Sequence, residues 1–414
     1  MEIGDSASQK HDHCLLGNKK FIRSFAVSFM VLYPLICSFI FYVTFIQYAL
    51  LRKWQENGMS SDNLFLGLAG MMIAGCIAAT LVGWFLDNNE NEMRLVPRVI
   101  ALATALLSMT GKAAMDATDS QNKILSLVGL GIFLGILIVP ILRQFVFHMS
   151  GFFLGLGAGI AAGVIYFSSC LIAGFLSDSE TIGKLGIILL LSASALSIVF
   201  GRLFPEPKPM ACEQKDKILP SWILILTLAA IVAGDTASFH TIINQPPKMP
   251  TLFSSEKIWL ISGLVHLGAG ILAGTLYWKQ GTKRMLIISA VLLCCTAILL
   301  AIFTKHEGWR IPSIFFQGAM VGFYSTAFFA AWACITGADR SSLTIGIGIT
   351  ICGFIASAGG IGISMAGQKI LTDIYLFLPP LLLGAIALFL MLEVNLFKAC
   401  KGNNSSKTNI IQVD

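Results

Sequence analysis

Long apolar segments alternate with short polar ones along almost the whole chain. Most apolar segments have about 20 residues, and a helix of that length, at 1.5 Å per residue, crosses a hydrocarbon core of roughly 30 Å. The pattern therefore predicts twelve transmembrane helices, which we number spans 1 to 12. The predicted spans cover residues 24–50, 64–86, 97–115, 124–143, 151–176, 185–203, 221–243, 258–278, 285–304, 310–337, 343–367 and 374–397.

Polar segments at both ends and in the middle divide the chain into domains. The central one contains prolines and charges, which is typical of a boundary between two units. The sequence therefore predicts an all-α membrane protein with twelve transmembrane helices in two pseudo-symmetric six-helix bundles. The predicted domains are an N-terminal tail (1–23), an N-terminal bundle (24–203), a linker (204–220), a C-terminal bundle (221–397) and a C-terminal tail (398–414).

Composition supports a membrane protein, because 56% of the residues are hydrophobic and only 12% are charged, against roughly 25% charged in soluble domains. The net charge of +6 lies between the spans rather than on one basic face, so it does not indicate nucleic-acid binding. Eighteen of the 28 Lys and Arg residues fall on the side of both tails and the linker. The positive-inside rule then predicts that both termini are cytoplasmic. The first apolar segment is too long for a signal peptide and lacks a small-residue cleavage site, so we expect no cleaved signal peptide. We expect a multi-pass protein of the plasma (inner) membrane.

Motifs for metal sites and enzymes are missing from the sequence. Seven of the ten cysteines lie within apolar segments, no CxxC pair occurs, and no nucleotide-binding loop or hydrolase motif is present. We therefore expect no metal, no cofactor and no enzymatic activity.

Two related polar interruptions follow spans 2 and 8. The first, 83–94, reads GWFLDNNENEMR, and the second, 274–284, reads GTLYWKQGTKR. Together with the two predicted six-helix halves, they resemble the major facilitator superfamily, whose signature loop has the form G-x-L-A-D-[RK]-x-G-[RK]-[RK]. The matching residues are Gly83, Asp87 and, displaced by the longer loop, Arg94 in the first copy, and Gly274, Leu276, Gly281, Lys283 and Arg284 in the second, where Trp278 replaces the acid.

The resemblance implies that these loops gate the cytoplasmic side. Asp87 can accept hydrogen bonds from a helix N-terminus or pair with Arg94, in a contact that forms in one state and breaks in the other. The alternative is that both are solvated loop charges, since exposed pairs contribute only about 0 to 1 kcal/mol. In span 4 the superfamily pattern R-x-x-x-G, linked to proton-coupled export, would fall on Gly131 and Gly135, but its arginine is missing. Span 5 lacks the Gly-Pro pair of the superfamily's drug exporters. These absences weaken the case for proton–drug antiport without removing it.

Glycine is concentrated in spans 5, 8 and 11, often at four-residue spacing. Helices in lipid associate through small residues, so we expect these three spans to pack closely. The alternative is the general enrichment of glycine in membrane helices.

Polar residues inside the spans are the candidate site residues, because a charge at bilayer depth costs at least about 2.5 kcal/mol and usually faces a cavity or a partner. Asp235 in span 7 is the most deeply placed acid, and we expect it to bind a proton or the solute, with His240 as its relay or hydrogen-bond partner. A structural network with Thr236 or Ser238 is the alternative. Tyr33, Gln317 and Tyr324 are further candidates for solute contact, whereas His266 is more typical of a helix interface.

The sequence thus predicts a secondary active transporter that moves a small solute by alternating access, with proton coupling that depends on Asp235. Its expected partners are the solute, protons and the lipid bilayer, without nucleic acid, and it is expected to act as a monomer. The alternative is a transporter-like sensor or scaffold protein that does not transport.

Overall fold

The computed structural model describes residues 26–89, 92–149, 151–176, 178–203, 221–243, 252–253, 255–335, 341–370 and 373–407. The predicted N-terminal tail, the linker at 204–220 and the end of the C-terminal tail lie outside these residues. Within the described part, the structure is nearly all helical and contains no strand.

Eleven helices in this part of the chain are long and apolar enough to cross a membrane. A short 3₁₀ turn at Glu307–Trp309 precedes the ninth of these helices, and another at Asp373–Phe377 precedes the eleventh. The helices are α1 (Ala26–Glu56), α2 (Ser61–Asp87), α3 (Glu92–Asp116), α4 (Ser120–His148), α5 (Gly151–Phe175), α6 (Ser179–Leu203), α7 (Ser221–Ile243), α8 (Glu256–Phe303), α9 (Arg310–Ile335), α10 (342–370) and α11 (Leu378–Lys407).

Helix α8 accounts for the difference between eleven helices and twelve predicted spans. It has 48 residues, a length of about 72 Å at 1.5 Å per residue, which is more than twice a hydrocarbon core. Gly281 interrupts it with φ 69° and ψ 173°, a left-handed backbone that glycine adopts without steric cost. The segments before and after Gly281 contain the predicted spans 8 and 9.

Two helices contain π-helical turns. In α1 the turn covers Phe41–Leu50, and in α10 it covers Thr350–Ile355. Such turns are rare and occur frequently at functional sites. The turn in α10 also marks a change of neighbour: a Cβ on Gly346 would lie 2.5 Å from the carbonyl oxygen of Ala79 on α2, and one on Gly360 the same distance from that of Ala233 on α7.

Asp119 and Asp178 start α4 and α6 as helix caps outside the spans. Asp119 accepts a hydrogen bond from the backbone N–H of Asn122 at 2.8 Å, and Asp178 accepts from the hydroxyl and the N–H of Thr181 at 2.6 and 2.8 Å. These bonds hold the pKa of both carboxyls below the usual range. Because the folded-state pKa is lowered, the stabilisation is present at neutral pH and is lost as the pH falls through the lowered value.

Glycine packing joins α5 to the first segment of α8. A Cβ on Gly270 would lie 2.5 Å from the carbonyl oxygen of Gly159, and one on Gly274 would lie 2.7 Å from that of Gly155. The helices therefore touch backbone to backbone, which only small residues allow. The expected close packing is confirmed for spans 5 and 8, and for span 11 through the glycines of α10.

Replacing Gly270 by Ala is expected to lower the melting temperature of the protein in detergent. The added methyl group collides with backbone that cannot move aside as a side chain would, and overpacking of this kind costs about 1 to 3 kcal/mol. Gly268 on the same helix has no atom within 4 Å of its Cβ position, so Gly268→Ala is the matched control and should be neutral. Equal melting temperatures for the two variants would contradict the packing argument.

Candidate functional site

A cavity of about 220 Å³ lies between seven of the helices. Residues from α1, α4, α5, α7, α8, α9 and α10 line it, including parts of both π-helical turns. Its walls are mostly apolar and aromatic with a small number of polar groups, which is the usual composition of a small-molecule site.

The cavity extends from the middle of the helices toward one end of the bundle. It reaches Tyr48 near the end of α1, Ala173 near the end of α5 and Trp259 near the start of α8. Because successive helices run in opposite directions, these three positions lie at the same end. The ring of Trp259 stacks on Phe253 with centroids 4.1 Å apart, and both rings line the cavity there.

Asp235 is the acidic group of the site. Its residue is only 9% exposed, and the Tyr324 hydroxyl donates a hydrogen bond of 2.6 Å to Oδ2. Its other carboxylate oxygen, Oδ1, is buried without a hydrogen-bond partner among the described residues. A buried polar atom that lacks a partner is costly, so this oxygen marks a position where a further group would be stabilised.

Two more side chains continue from Tyr324. The Tyr166 hydroxyl lies 3.4 Å from that of Tyr324, and the Tyr166 ring stacks on His266 with centroids 5.3 Å apart and an interplanar angle of 18°. His266 Nδ1 lies 2.6 Å from the carbonyl oxygen of Ser262. A carbonyl oxygen only accepts hydrogen bonds, so Nδ1 carries a proton and Nε2 is the acceptor of the neutral ring.

Of the five candidate residues from the sequence, the structure brings three together. Asp235, Gln317 and Tyr324 all line the cavity. Tyr33 and His240 are not part of the lining: the Tyr33 hydroxyl lies 2.8 Å from Ser192 Oγ on α6, and His240 Nδ1 lies 3.2 Å from Ser364 Oγ on α10. These two connect neighbouring helices instead.

Sequence reasoning missed Tyr166 and treated His266 as an interface residue, although both line the cavity. A signal was present for the first, because Tyr166 is the only tyrosine in the predicted span 5, which is otherwise rich in glycine and alanine. A polar ring in such a helix indicates that one face is not packed against backbone.

Asp87 joins the end of α2 to the start of α10, at the end of the bundle opposite Tyr48 and Trp259. Its carboxylate accepts hydrogen bonds from the Ser341 hydroxyl at 2.6 Å and from the N–H groups of Ser342 and Leu343 at 2.7 and 2.9 Å. These groups form the N-terminus of α10, where a carboxylate is favoured by the unpaired N–H groups and by the helix dipole. Of the two arrangements considered for Asp87, the structure shows the contact with a helix N-terminus.

Gly83 and Arg94 flank this contact. A Cβ on Gly83 would lie 2.6 Å from the carbonyl oxygen of Ser342, so glycine allows α2 to touch the start of α10. Arg94 is exposed in the first turn of α3, which begins at Glu92. The polar stretch predicted as a long loop is therefore short, with helix on both sides.

The second signature loop makes a contact equivalent to that of Asp87. Trp278 replaces the acid, and a Cβ on Gly151 at the start of α5 would lie 2.9 Å from its ring. The two equivalent positions, Asp87 and Trp278, thus each lie against the N-terminus of a helix from the other half of the chain. Gly274 packs on α5, Gly281 breaks α8, and Lys283 and Arg284 follow, half-buried and exposed respectively.

Long apolar helices around a central cavity define a multi-pass membrane protein with an internal cavity. No family model and no curated protein matches the chain. Solved structures do, and the chain has the fold of major facilitator superfamily transporters. Each of three similar structures covers 89% of this chain. The first is the proton:xylose symporter XylE bound to 6-bromo-6-deoxy-D-glucose, with a TM-score of 0.66, 13% identity and 95% of that chain covered. The others are the transporter FucP in the outward conformation, with a TM-score of 0.61, 12% identity and 99% of that chain covered, and the human organic anion transporter MFSD10, with a TM-score of 0.63, 13% identity and 99% of that chain covered.

Proposed function

We propose that the protein is a secondary active transporter that moves a small solute across the membrane by alternating access. The observation that carries this proposal is a cavity with a buried, half-satisfied carboxylate that extends toward one end of the bundle, while Asp87 bonds to α10 at the other end. In this proposal α8 counts as two spans separated by Gly281. The chain then has twelve spans in two six-helix halves, 24–203 and 221–397.

The contacts made by Asp87 and Trp278 support a gate at one end of the bundle. Asp87 and Trp278 connect the two halves of the chain at the same end, through α2 with α10 and through α8 with α5. With both termini in the cytoplasm, this end is cytoplasmic and the cavity is open to the outside. Breaking both contacts while closing the mouth near Trp259 would present the cavity to the other side.

Proton coupling is part of the proposal and depends on Asp235. A proton on this carboxylate removes a charge that is expensive at bilayer depth, so binding or release of the proton changes the free energy of moving the empty site. The other titratable side chains that line the cavity are His266, the tyrosines 42, 48, 166 and 324, and the cysteines 170 and 352. Each copy holds a complete cavity, which supports a monomer as the working unit.

Purified protein in proteoliposomes is expected to show saturable uptake of a labelled small solute and faster uptake when a pH gradient is imposed. The screen uses labelled sugars, amino acids, organic cations and organic anions, with empty liposomes as the control. The competing function is a sensor or scaffold with a transporter-like fold. Absence of flux for every class from folded protein, together with tight binding of a protein partner, would favour that function instead.

A further inference from the structure

The charge of the cavity lining is unbalanced. Among the described residues that line it, Asp235 is the one carboxylate and none is Lys or Arg. His266, the one basic side chain of this lining, donates through Nδ1 to the carbonyl oxygen of Ser262 and presents an acceptor at Nε2. An ionised Asp235 therefore faces the cavity without a fixed positive charge in this lining.

Four of the hydroxyl groups that line the cavity strengthen this asymmetry. Ser38, Thr44 and Ser169 donate hydrogen bonds of 2.6, 2.6 and 2.8 Å to carbonyl oxygens of their own helices. The Tyr324 hydroxyl donates to Asp235. Since each hydroxyl has a single proton, these groups have only acceptor lone pairs left for a bound molecule.

Aromatic rings form a large part of the cavity walls. Rings from six of the lining helices and from the segment before α8 line the cavity, among them Tyr42, Tyr166, Phe239, Phe253, Trp259 and Phe328. The faces of aromatic rings carry negative partial charge and attract cations, most strongly in a site from which water is excluded. Carboxylate, acceptor oxygens and ring faces thus all favour the same sign of charge in a ligand.

We propose that the cavity takes a small organic cation with an apolar body, such as an alkyl or aryl ammonium ion, whose positive group contacts Asp235 Oδ1. This proposal rests on the proposed function for its role as transported solute, but binding can be measured without transport. A cation site would distinguish this chain from the organic anion transporter with the same fold. An anion in this cavity would be repelled by the Asp235 carboxylate and by the acceptor oxygens.

Three aryl probes of closely similar shape test the proposal on the full-length protein in detergent. They are trimethyl(2-phenylethyl)ammonium, which is permanently charged, its neutral carbon isostere (3,3-dimethylbutyl)benzene, and the anion 3-phenylpropionate. Binding is followed by intrinsic tryptophan fluorescence, to which Trp259 in the cavity wall contributes, and by thermal shift, for the wild type, Asp235→Asn and the control Glu56→Gln. Glu56 is an exposed acid paired with Arg52 at the end of α1, outside the cavity lining.

The wild type and Glu56→Gln are expected to bind the ammonium probe at least about tenfold more tightly than either other probe, and Asp235→Asn is expected to lose that preference. Equal or tighter binding of 3-phenylpropionate, unchanged ammonium affinity in Asp235→Asn, or no ammonium binding by folded wild type would overturn the proposal. The ranking of the three probes on the wild type needs no substitution, so the test survives if Asp235→Asn misfolds.

The same probes separate this inference from the proposed function. Ammonium binding without uptake in proteoliposomes would leave the cation site standing and remove transport. Saturable uptake of a sugar or an anion, without ammonium binding, would leave transport standing and remove the cation site.

Discussion

Replacement of Asp235 by Asn is expected to abolish solute uptake driven by a pH gradient. Asn has nearly the same shape and can still accept the hydrogen bond from Tyr324, but it carries no charge and takes up no proton in the physiological range. Both the coupling group and the counter-charge for the solute disappear together. We expect a fall of at least about 100-fold in initial uptake rate, equivalent to about 2.7 kcal/mol.

The measurement is uptake into proteoliposomes over a range of external pH, with the amount of folded protein determined for each variant. Tyr324→Phe is a second, milder variant, because it keeps the Asp235 carboxylate but removes the 2.6 Å hydrogen bond to Oδ2. Hydrogen bonds to charged groups contribute about 1.5 to 3 kcal/mol, so this variant should shift the pH profile while uptake persists. Unchanged uptake with an unchanged pH profile in Asp235→Asn would show that the acid has a structural role only.

Replacement of Asp87 by Ala is expected to weaken the closed end of the bundle. The substitution removes the acceptor of three hydrogen bonds at the N-terminus of α10. Because Asp87 is exposed, we expect a loss of about 1 to 2 kcal/mol, which is about 5- to 30-fold in the population of the closed arrangement. Asp62→Ala, which removes an exposed acid from the opposite end of α2, is the matched control.

Amide hydrogen exchange distinguishes a gating contact from a local helix cap. Faster exchange at 341–349 is expected in either case, since the N–H groups of Ser342 and Leu343 lose their acceptor. A gate predicts in addition faster exchange at 274–284, where Trp278 packs against Gly151 in the second contact between the halves. Faster exchange at 341–349 alone would identify Asp87 as a cap without a role in opening.

The helices themselves were predictable, because a span must be apolar over nearly its whole length. What hydropathy does not contain is the direction in which each helix face points. Tyr33 and Tyr324 are both tyrosines within spans, yet the first bonds to Ser192 on α6 and the second faces the cavity. The pairing of Tyr324 with Asp235 joins positions 89 residues apart, so it follows only from the way the bundle is assembled.

The signature loops were more informative, since their positions at helix ends limit what they can contact. The choice of a helix N-terminus for Asp87 nevertheless depended on how close Gly83 brings α2 to α10. In the second loop, the substitution of Trp278 for the acid was visible in the sequence, but its position against Gly151 was not. At 12 to 13% identity, the similar solved structures define the fold but not the ligand. The ligand has to be inferred from the side chains that line the cavity.

The π-helical turn of α10 lies between two parts of that helix that pack against different neighbours. Its first part is held by α2 through Gly346, and its last part is held by α7 through Gly360. Within the turn, the Thr350 hydroxyl donates to the carbonyl oxygen of Cys76 at 3.1 Å on α2, while Cys352 Sγ donates to that of Ile225 at 3.2 Å on α7. Any displacement of α2 relative to α7 therefore acts on the six residues of this turn, three of which line the cavity.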